Sequence, residues 1–392
     1  MSAATFDHVE LDQPVDTSSS PFDVIQLPSP LSFTQAEVSW YIFEGRGRDG
    51  RRIAVLVAVH RTGQRVRRIR LEPRLITGVD LPRPLRDLVP AWLPIWSPVS
   101  VDTDERPLVT VAVYDLDRGR QVPPIERECA VDLATFSART PDRDIEICEY
   151  VAGRPAPPEV ERFFAGSGRR TSIHARGPGF ELALHARARK PAVTFGPAGP
   201  RIQHGRISTC YVQRPRLDVV GALVLDGERI ESFVGDGVHD HQWMDVTTPN
   251  LKWMWPHLRF ADGRELTGYV VRDSSAGRDA DADAGRELAR GGWLIERDGA
   301  VRPLRFDVRA AAHIDTVRGR VPTRFVVAVP DLDLRLVLDH VIAAPYLRMR
   351  AFGDVIDAGI YEGPIKLVES SRQLDANVHG WVEVMNAATA RF

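Results

Sequence analysis

Asp-Gly pairs that stand between strand-like segments constrain the fold of this chain more than any other feature. They occur at 49/50, 226/227, 262/263 and 298/299. Asp-Gly suits the two-residue turns of β-hairpins, because these turns need the positive φ angles that glycine adopts without strain. Four such turns along the chain predict successive strands that pair antiparallel.

The segments beside these pairs have the character of strands. They are short, rich in β-branched residues and bounded by turn residues. The clearest segments are 52–59, 108–114, 217–225, 266–272, 324–329 and 332–338. Helix signals are confined to 84–93 and 157–165, and in the second of these Pro157 and Pro158 suit a helix start. We therefore predict an all-β antiparallel protein with minor helix.

Two stretches resemble connections more than strands. Residues 77–107 contain six prolines, which lack the N–H group that a ladder of paired strands requires. Residues 273–285 form an acidic run that lacks the spacing and the final glutamate of a calcium-binding loop. We expect both stretches to be loops.

A repeated unit in the two halves predicts two related domains. Trp40 is followed nine residues later by Asp-Gly-Arg and an apolar strand, and Trp253 is followed by the same pattern at the same spacing. The most economical arrangement is two small β-barrels packed side by side. We predict a flexible N-terminus at 1–20, an N-terminal domain with a proline-rich insert at 21–244 and a C-terminal domain at 245–392.

Composition excludes several classes of protein. The net charge of −2 argues against a nucleic-acid-binding protein, which normally presents a basic face. No apolar run reaches the ~18 residues that cross a bilayer, and residues 1–20 lack the pattern of a signal peptide. The three cysteines form no CxxC pair, so neither a disulfide framework nor a structural zinc site is expected. We expect a cytoplasmic protein without membrane insertion.

The densest group of unusual side chains lies at 235–245. If this segment is extended, His239, His241 and Trp243 point to one face, and Asp240 and Gln242 point to the other. The histidines could bind a metal, although no third ligand follows at a convincing spacing. The alternatives are a catalytic cluster, with Asp240 as a proton donor or as a partner that orients an imidazole, and a purely structural cluster.

Tryptophans gather close to this group in the sequence. Trp243, Trp253 and Trp255 fall within thirteen residues, and Trp40 and Tyr41 occupy the equivalent place in the first half. Such residues either fill a barrel core or line a pocket for a flat, apolar, conjugated ligand.

The segment 196–244 resembles the lipocalin-like AttH and carotenoid 1,2-hydratase (hydroxyneurosporene synthase) family. The matching positions are Tyr211, Arg216-Leu217, a turn with Gly235 and Gly237, and the block Asp240-His241-Gln242-Trp243. Further matches are Ser39-Trp40-Tyr41, the segment from Trp253 to Arg264, and Tyr361-Glu362-Gly363-Pro364. The chain departs from the family pattern at Ser39, Cys210, His239 and Met244, which lie around the expected pocket.

The resemblance implies two lipocalin-like (calycin) barrels and a hydrophobic cavity for a polyene, with no metal and no organic cofactor. The activities of the family include hydration of isoprenoid double bonds and ring closure of the Diels-Alderase type. We therefore expect a cofactor-independent [4+2] cyclase that acts on a linear polyene polyketide in bacterial natural-product biosynthesis. The alternatives are a hydratase, in which Asp240 protonates an alkene with His241 oriented beside it, and a non-catalytic carrier of an apolar metabolite.

The resemblance and the residue pattern together assign the candidate site. The expected catalytic residues are Tyr211, His239, Asp240 and His241. The expected substrate-binding residues are Trp40, Tyr41, Gln242, Trp243, Trp253, Trp255, Tyr361 and Glu362. The expected partner is a hydrophobic polyene, and the sequence leaves the oligomeric state open.

Overall fold

A computed structural model gives the architecture of the protein. It describes residues 35–61, 65–75, 94–104, 107–132, 137–150, 170–195, 201–204, 207–245, 251–273, 285–316, 319–351, 356–373 and 378–386. The predicted flexible N-terminus at 1–20, both predicted helices and residues 274–284 of the acidic run lie outside these residues. In the part of the chain that is described, no helix has the length and apolar character needed to cross a membrane.

The described residues before position 246 form sixteen strands. They are β1 (Gln35–Arg46), β2 (Arg52–Arg61), β3 (Arg65–Leu75), β4 (Pro94–Asp104), β5 (Leu108–Asp115), β6 (Arg120–Gln121), β7 (Ile125–Glu128), β8 (Ala130–Asp132), β9 (Ser137–Arg139), β10 (Ile145–Tyr150), β11 (Arg170–Gly177), β12 (Phe180–Ala188), β13 (Val193–Thr194), β14 (Arg201–His204), β15 (Ile207–Leu225) and β16 (Glu228–Asp245). Fourteen of them form the first sheet, in the order β6-β5-β2-β1-β16-β15-β12-β11-β10-β9-β8. Beside this path, β13 and β14 pair with β15, and β7 pairs with β5.

The second sheet contains the ten strands that follow. They are β17 (Leu251–Arg259), β18 (Glu265–Asp273), β19 (Glu287–Ile295), β20 (Val301–Pro303), β21 (Asp307–Thr316), β22 (Gly319–Val329), β23 (Leu334–His340), β24 (Tyr346–Ala351), β25 (Ile356–Ser370) and β26 (His379–Asn386). Their order is β20-β19-β18-β17-β26-β25-β23-β22-β21, with β24 beside β25. A single turn of 3-10 helix, Pro330–Leu332, precedes β23.

The four predicted hairpin turns are confirmed. Gly50, Gly263 and Gly299 have φ angles of 85°, 85° and 89°. Asp226 and Gly227 both have positive φ, 53° and 81°, as a type I′ turn requires. Each turn joins two antiparallel neighbours, and the all-β antiparallel prediction is therefore confirmed.

The two sheets repeat one topology. In the first sheet β1 lies between its hairpin partner β2 and the last strand β16, and in the second sheet β17 lies between β18 and β26. Trp40 and Trp253 lie in the equivalent strands β1 and β17. The first sheet ends at Asp245 and the second begins at Leu251, while the exact limits of the two domains stay a prediction.

Two local predictions are wrong. Residues 94–104 of the proline-rich stretch form β4, which pairs only with β3 in a separate two-stranded sheet. Because each strand of such a sheet has an unpaired edge, prolines there interrupt no second ladder. The expected turn at Gly235 and Gly237 is instead the middle of β16. A β carbon built on Gly235 would lie 2.1 Å from the carbonyl oxygen of Glu44, so glycine allows β1 and β16 to approach closely.

Apolar side chains form three layers. One face of the first sheet encloses its own core, which includes Tyr41, Phe43, Val55, Ile147, Leu184 and Val219. The second sheet likewise encloses a core that includes Met254, Leu258, Phe325, Tyr361 and Val382. The third layer, here called the inter-sheet layer, joins the two sheets. It includes Trp40, Ile42, Tyr114, Tyr211 and Val238 of the first sheet and Trp255, Ile295, Ile360, Trp381 and Met385 of the second.

Candidate functional site

Strand alternation divides the predicted site residues between two layers. In β16, His239 is paired with Tyr41 and Arg214, while Asp240 is paired with Trp40 and Gln213. Paired residues of neighbouring strands point to the same face. Since Tyr41 belongs to the core of the first sheet and Trp40 to the inter-sheet layer, His239 faces the interior of the first sheet and Asp240 faces the second sheet.

His239 belongs to a polar group inside the first sheet. Its Nε2 lies 2.7 Å from Ser39 Oγ, its ring stacks on Tyr41 at 4.3 Å between centroids, and its Nδ1 contacts the guanidinium of Arg214. The Tyr41 hydroxyl donates to Glu149. Because a guanidinium only donates hydrogen bonds, Nδ1 of His239 is the acceptor and Nε2 carries the ring proton. His239 therefore donates to Ser39 and is not arranged as the base of a serine nucleophile.

Asp240 is held between the sheets by two polar neighbours. Gln213 Nε2 donates to Asp240 Oδ1 at 2.9 Å and to the Tyr211 hydroxyl at 3.1 Å. The Tyr211 ring stacks on Phe195 with 5.1 Å between centroids. Burial raises the pKa of Asp240 to about 8, although the hydrogen bonds from Gln213 and Tyr211 act in the opposite direction. At neutral pH this carboxyl group is therefore mostly a neutral acid.

The second sheet contributes two glutamates to the same layer. Glu362 in β25 and Glu383 in β26 are directly paired across the two strands. The Trp381 indole N–H donates to Glu362 Oε1 at 2.8 Å, and the Trp253 indole N–H donates to Glu383 Oε1 at 2.6 Å. Burial raises the pKa of Glu383 to about 7 and raises the pKa of Glu362 well above its ordinary value.

We call Asp240, Glu362 and Glu383 the acid cluster. The charge of Glu383 raises the pKa of both Asp240 and Glu362, and the charge of Asp240 raises that of Glu362. Acidic groups that repel one another in a buried layer resist ionisation together. The arrangement therefore holds transferable protons at neutral pH.

Aromatic side chains surround the acid cluster. Trp293 packs between Phe195, at 4.6 Å, and Tyr269, at 5.6 Å. Trp253, Tyr269 and Trp293 are only partly buried, so this end of the inter-sheet layer presents an apolar surface that a ligand can reach. Flat apolar walls beside a few polar groups are typical of small-molecule sites.

Seven of the twelve predicted site residues lie in the inter-sheet layer, or are paired across strands or hydrogen-bonded with residues of that layer. These are Trp40, Tyr211, Asp240, Gln242, Trp253, Trp255 and Glu362. Tyr41, His239 and His241 face the interior of the first sheet instead, and Tyr361 lies in the core of the second sheet. Trp243 lies in β16, and its side chain is outside the described part.

The expected position of His241 beside Asp240 is wrong. Adjacent residues of a strand point to opposite faces, and His241 is paired with Ser39 and Val212 on the interior side. The imidazole therefore cannot orient the carboxyl group of its neighbour. Gln213 and Tyr211 hold Asp240 in its place.

Sequence reasoning missed Gln213 and Glu383. Gln213 is fully buried and follows Tyr211 at the spacing of one strand face. In β26, Trp381, Glu383 and Met385 occupy alternate positions, so a carboxyl group stands between two large apolar residues of one face. That pattern signals a buried acid, and it was available from the sequence. Among the described residues, no group of three or more His, Cys, Asp or Glu is arranged to hold a metal ion.

Comparisons with known proteins agree with this architecture. The crystal structure of a putative AttH from Nitrosomonas europaea superposes with a TM-score of 0.64 at 14% identity, covering 97% of this chain and 100% of that one. Kievitone hydratase from Nectria haematococca superposes with a TM-score of 0.55 at 13% identity, covering 95% and 97%. No curated protein sequence matches the chain. A family model described as AttH-like matches residues 161–386, more than half of the chain, and the protein therefore belongs to the AttH-like family.

Proposed function

We propose that this protein is a cofactor-independent hydratase that adds water to a carbon–carbon double bond of an apolar, unsaturated small molecule. The observation that carries the proposal is Asp240, a buried carboxyl group that stays protonated at neutral pH beside an aromatic surface. A carboxylic acid kept neutral by burial is suited to general-acid catalysis, because it can donate a proton where a carboxylate cannot.

The chemistry follows from the position of this acid. The O–H bond of Asp240 breaks as its proton forms a C–H bond with one alkene carbon, which leaves a carbocation on the other carbon. A water molecule then forms the C–O bond and gives up one proton, so that alkene and water become an alcohol. The rings of Trp40, Trp253 and Trp255 are suited to stabilise the cation, because the face of an indole attracts positive charge.

One structurally similar protein is named for this reaction class. The structurally similar kievitone hydratase is named for the addition of water. Its low identity to this chain transfers the fold only, and the argument for hydration therefore rests on Asp240 and the acid cluster.

A [4+2] cyclase is the second candidate. Protonated Asp240 is a hydrogen-bond donor beside the aromatic surface, and Tyr211 and Gln213 hold it in place. Donors of this kind can polarise the carbonyl group of a dienophile, and the aromatic walls can hold a linear polyene in a folded pose. This reaction needs no proton transfer to carbon, which makes it experimentally separable from hydration.

The decisive experiment uses the purified protein in D₂O with geranylgeraniol and a linear polyene carboxylic acid as probes. Hydration adds one water and one non-exchangeable C–D bond, which mass spectrometry detects. A [4+2] cyclase gives an isomer of unchanged mass without deuterium, and a carrier binds the probe without changing it. Either of the last two results would overturn the hydratase proposal.

Two variants of β16 provide matched tests. Asp240→Asn removes the proton donor with little change in shape, and we expect hydration to fall about 100-fold or more. His239→Gln changes the neighbouring residue on the opposite face, and we expect the folded variant to keep hydrating the probe. In the wild type, activity should fall as the pH rises through about 8, because Asp240 then loses its proton.

A further inference from the structure

The Glu362–Glu383 pair has a geometry that the proton donor alone does not explain. The two residues are directly opposed in β25 and β26, and each carboxyl group accepts one indole N–H through its Oε1. Glu362 is fully buried, and within the described part of the chain its Oε2 has no hydrogen-bond partner. A buried carboxyl oxygen without a partner is costly, and such an exception in a native structure points to a function.

The backbone of the pair is fixed from the first sheet. The Tyr114 hydroxyl in β5 donates to the carbonyl oxygen of Glu362 at 3.0 Å, and the Tyr114 ring packs edge-on against Trp381 at 5.3 Å. Trp253 and Trp381 act as positioning residues, because each indole N–H holds one carboxyl oxygen of its glutamate.

Three further titratable groups face the pair, and none of them is a cation. They are Tyr114 from β5, Tyr211 from β15 and Asp240 from β16, in addition to the two glutamates themselves. Two carboxyl groups in one buried site cannot both ionise readily, so they titrate as a unit that retains one proton over a wide pH range. The remaining negative charge is a base that is shared by both glutamates.

We propose that Glu362 and Glu383 share one proton and form the catalytic base that deprotonates the attacking water. This inference rests on the proposed hydratase function and adds its second catalytic group. The lone pair of the water oxygen forms the C–O bond, its O–H bond breaks, and the proton moves to the carboxylate of the pair. The pair then holds one extra proton while Asp240 lacks one, and transfer of that proton back to Asp240 completes the cycle.

The first test examines proton sharing without any substrate. In protein labelled with ¹³C at glutamate Cδ, the NMR signals of Glu362 and Glu383 should shift together in two steps, one of them near neutral pH. In Glu383→Gln the shared step should disappear from the Glu362 signal. Independent titration of each carboxyl group in a single step near its ordinary pKa would overturn the inference.

The second test separates the base from the acid during turnover of geranylgeraniol in D₂O. In Glu383→Gln, Asp240 still protonates the alkene, and loss of a neighbouring proton returns a deuterated alkene. We therefore expect deuterium in the recovered probe, whereas formation of the alcohol falls about 100-fold. The control is Glu369→Gln, the same change at an exposed position of β25, which should hydrate the probe like the wild type.

The outcomes distinguish the two proposals. Unchanged hydration by Glu383→Gln, or loss of deuterium exchange together with hydration, overturns the role of the pair as base. If the wild type introduces no deuterium into the probe, the hydratase function itself fails, and the NMR titration alone then decides whether the two glutamates share a proton.

Discussion

At the scale of single residues, the separation of His239 from Asp240 decides the chemistry that each can perform. His239 is fixed in one tautomer by Arg214 and Ser39. Asp240 is desolvated and keeps its proton, because its polar neighbours among the described residues are Gln213 and Tyr211 and include no cation. One peptide unit along β16 therefore separates a hydrogen-bonded structural group from a candidate acid.

The raised pKa of Asp240 predicts how stability depends on pH. Above the ordinary pKa of an aspartate, near 4, the unfolded chain loses a proton that the folded protein keeps until about pH 8. The contribution of Asp240 to the free energy of unfolding should therefore be greatest below about pH 4. It should fall by up to about 1.4 kcal/mol per pH unit as the pH rises from about 4 to about 8. In Asp240→Asn this contribution is absent, so the variant should gain stability relative to the wild type between pH 5 and 8.

Urea unfolding at several pH values measures this difference. Asp339 provides a control of opposite sign, because its hydrogen bond to Arg324 lowers its pKa and stabilises the protein above the ordinary aspartate pKa. Asp339→Asn should therefore lose stability at neutral pH. If the free energy of unfolding changed with pH in the same way in the wild type and in Asp240→Asn, the assignment of Asp240 as a buried neutral acid would be wrong.

At the scale of strands, the sequence predicts features that depend on neighbouring residues, and it does not predict features that depend on how the sheets pack. The Asp-Gly turns and the alternation of His239 and Asp240 follow from the geometry of neighbouring residues, and the structure contains both. Which face of β16 meets the second sheet depends on the curl of the first sheet, which no local pattern encodes. Glu383 lies far from Asp240 along the chain, and only the packing of the second sheet against the first brings the two residues into one layer.

Gly235 provides a prediction at this scale. Alanine at this position would place its β carbon 2.1 Å from the Glu44 carbonyl oxygen, and backbone cannot yield as a flexible side chain does. We expect Gly235→Ala to lower the free energy of unfolding by about 3 kcal/mol or more. Gly119→Ala is the comparison, because that glycine has open space around it and a φ of 62°, so the cost is only that of the backbone conformation, about 1 kcal/mol. Equal losses in the free energy of unfolding for Gly235→Ala and Gly119→Ala would refute the close approach of β1 and β16 at Gly235.

At the scale of the whole molecule, buried ion pairs join the two sheets. Glu265 of β18 accepts from Arg216 of β15 at 2.8 Å and from Lys190 at 2.6 Å. Arg259 of β17 lies 3.2 Å from Asp236 of β16. Such pairs are not a large net source of stability, but they fix one register, because a displaced partner would leave a charge buried alone.

Glu265→Gln should therefore destabilise the protein by about 3–5 kcal/mol, since Lys190 would remain buried without its counter-charge and Arg216 would keep only its pair with Asp236. Urea unfolding measures the loss. Glu369→Gln, which removes an exposed partner of Arg335, should change stability by less than about 1 kcal/mol. A similar small loss at Glu265 would show that the ion pairs do not hold the two sheets together.

The division of the acid cluster between two sheets of similar topology has a consequence for assembly. Asp240 belongs to one copy of the repeat, and Glu362 and Glu383 belong to the other. Neither sheet on its own carries all three carboxyl groups of the acid cluster. Because both sheets belong to one polypeptide, their carboxyl groups are always present in a fixed ratio. Two separate polypeptides would have to be produced in equal amounts and then associate.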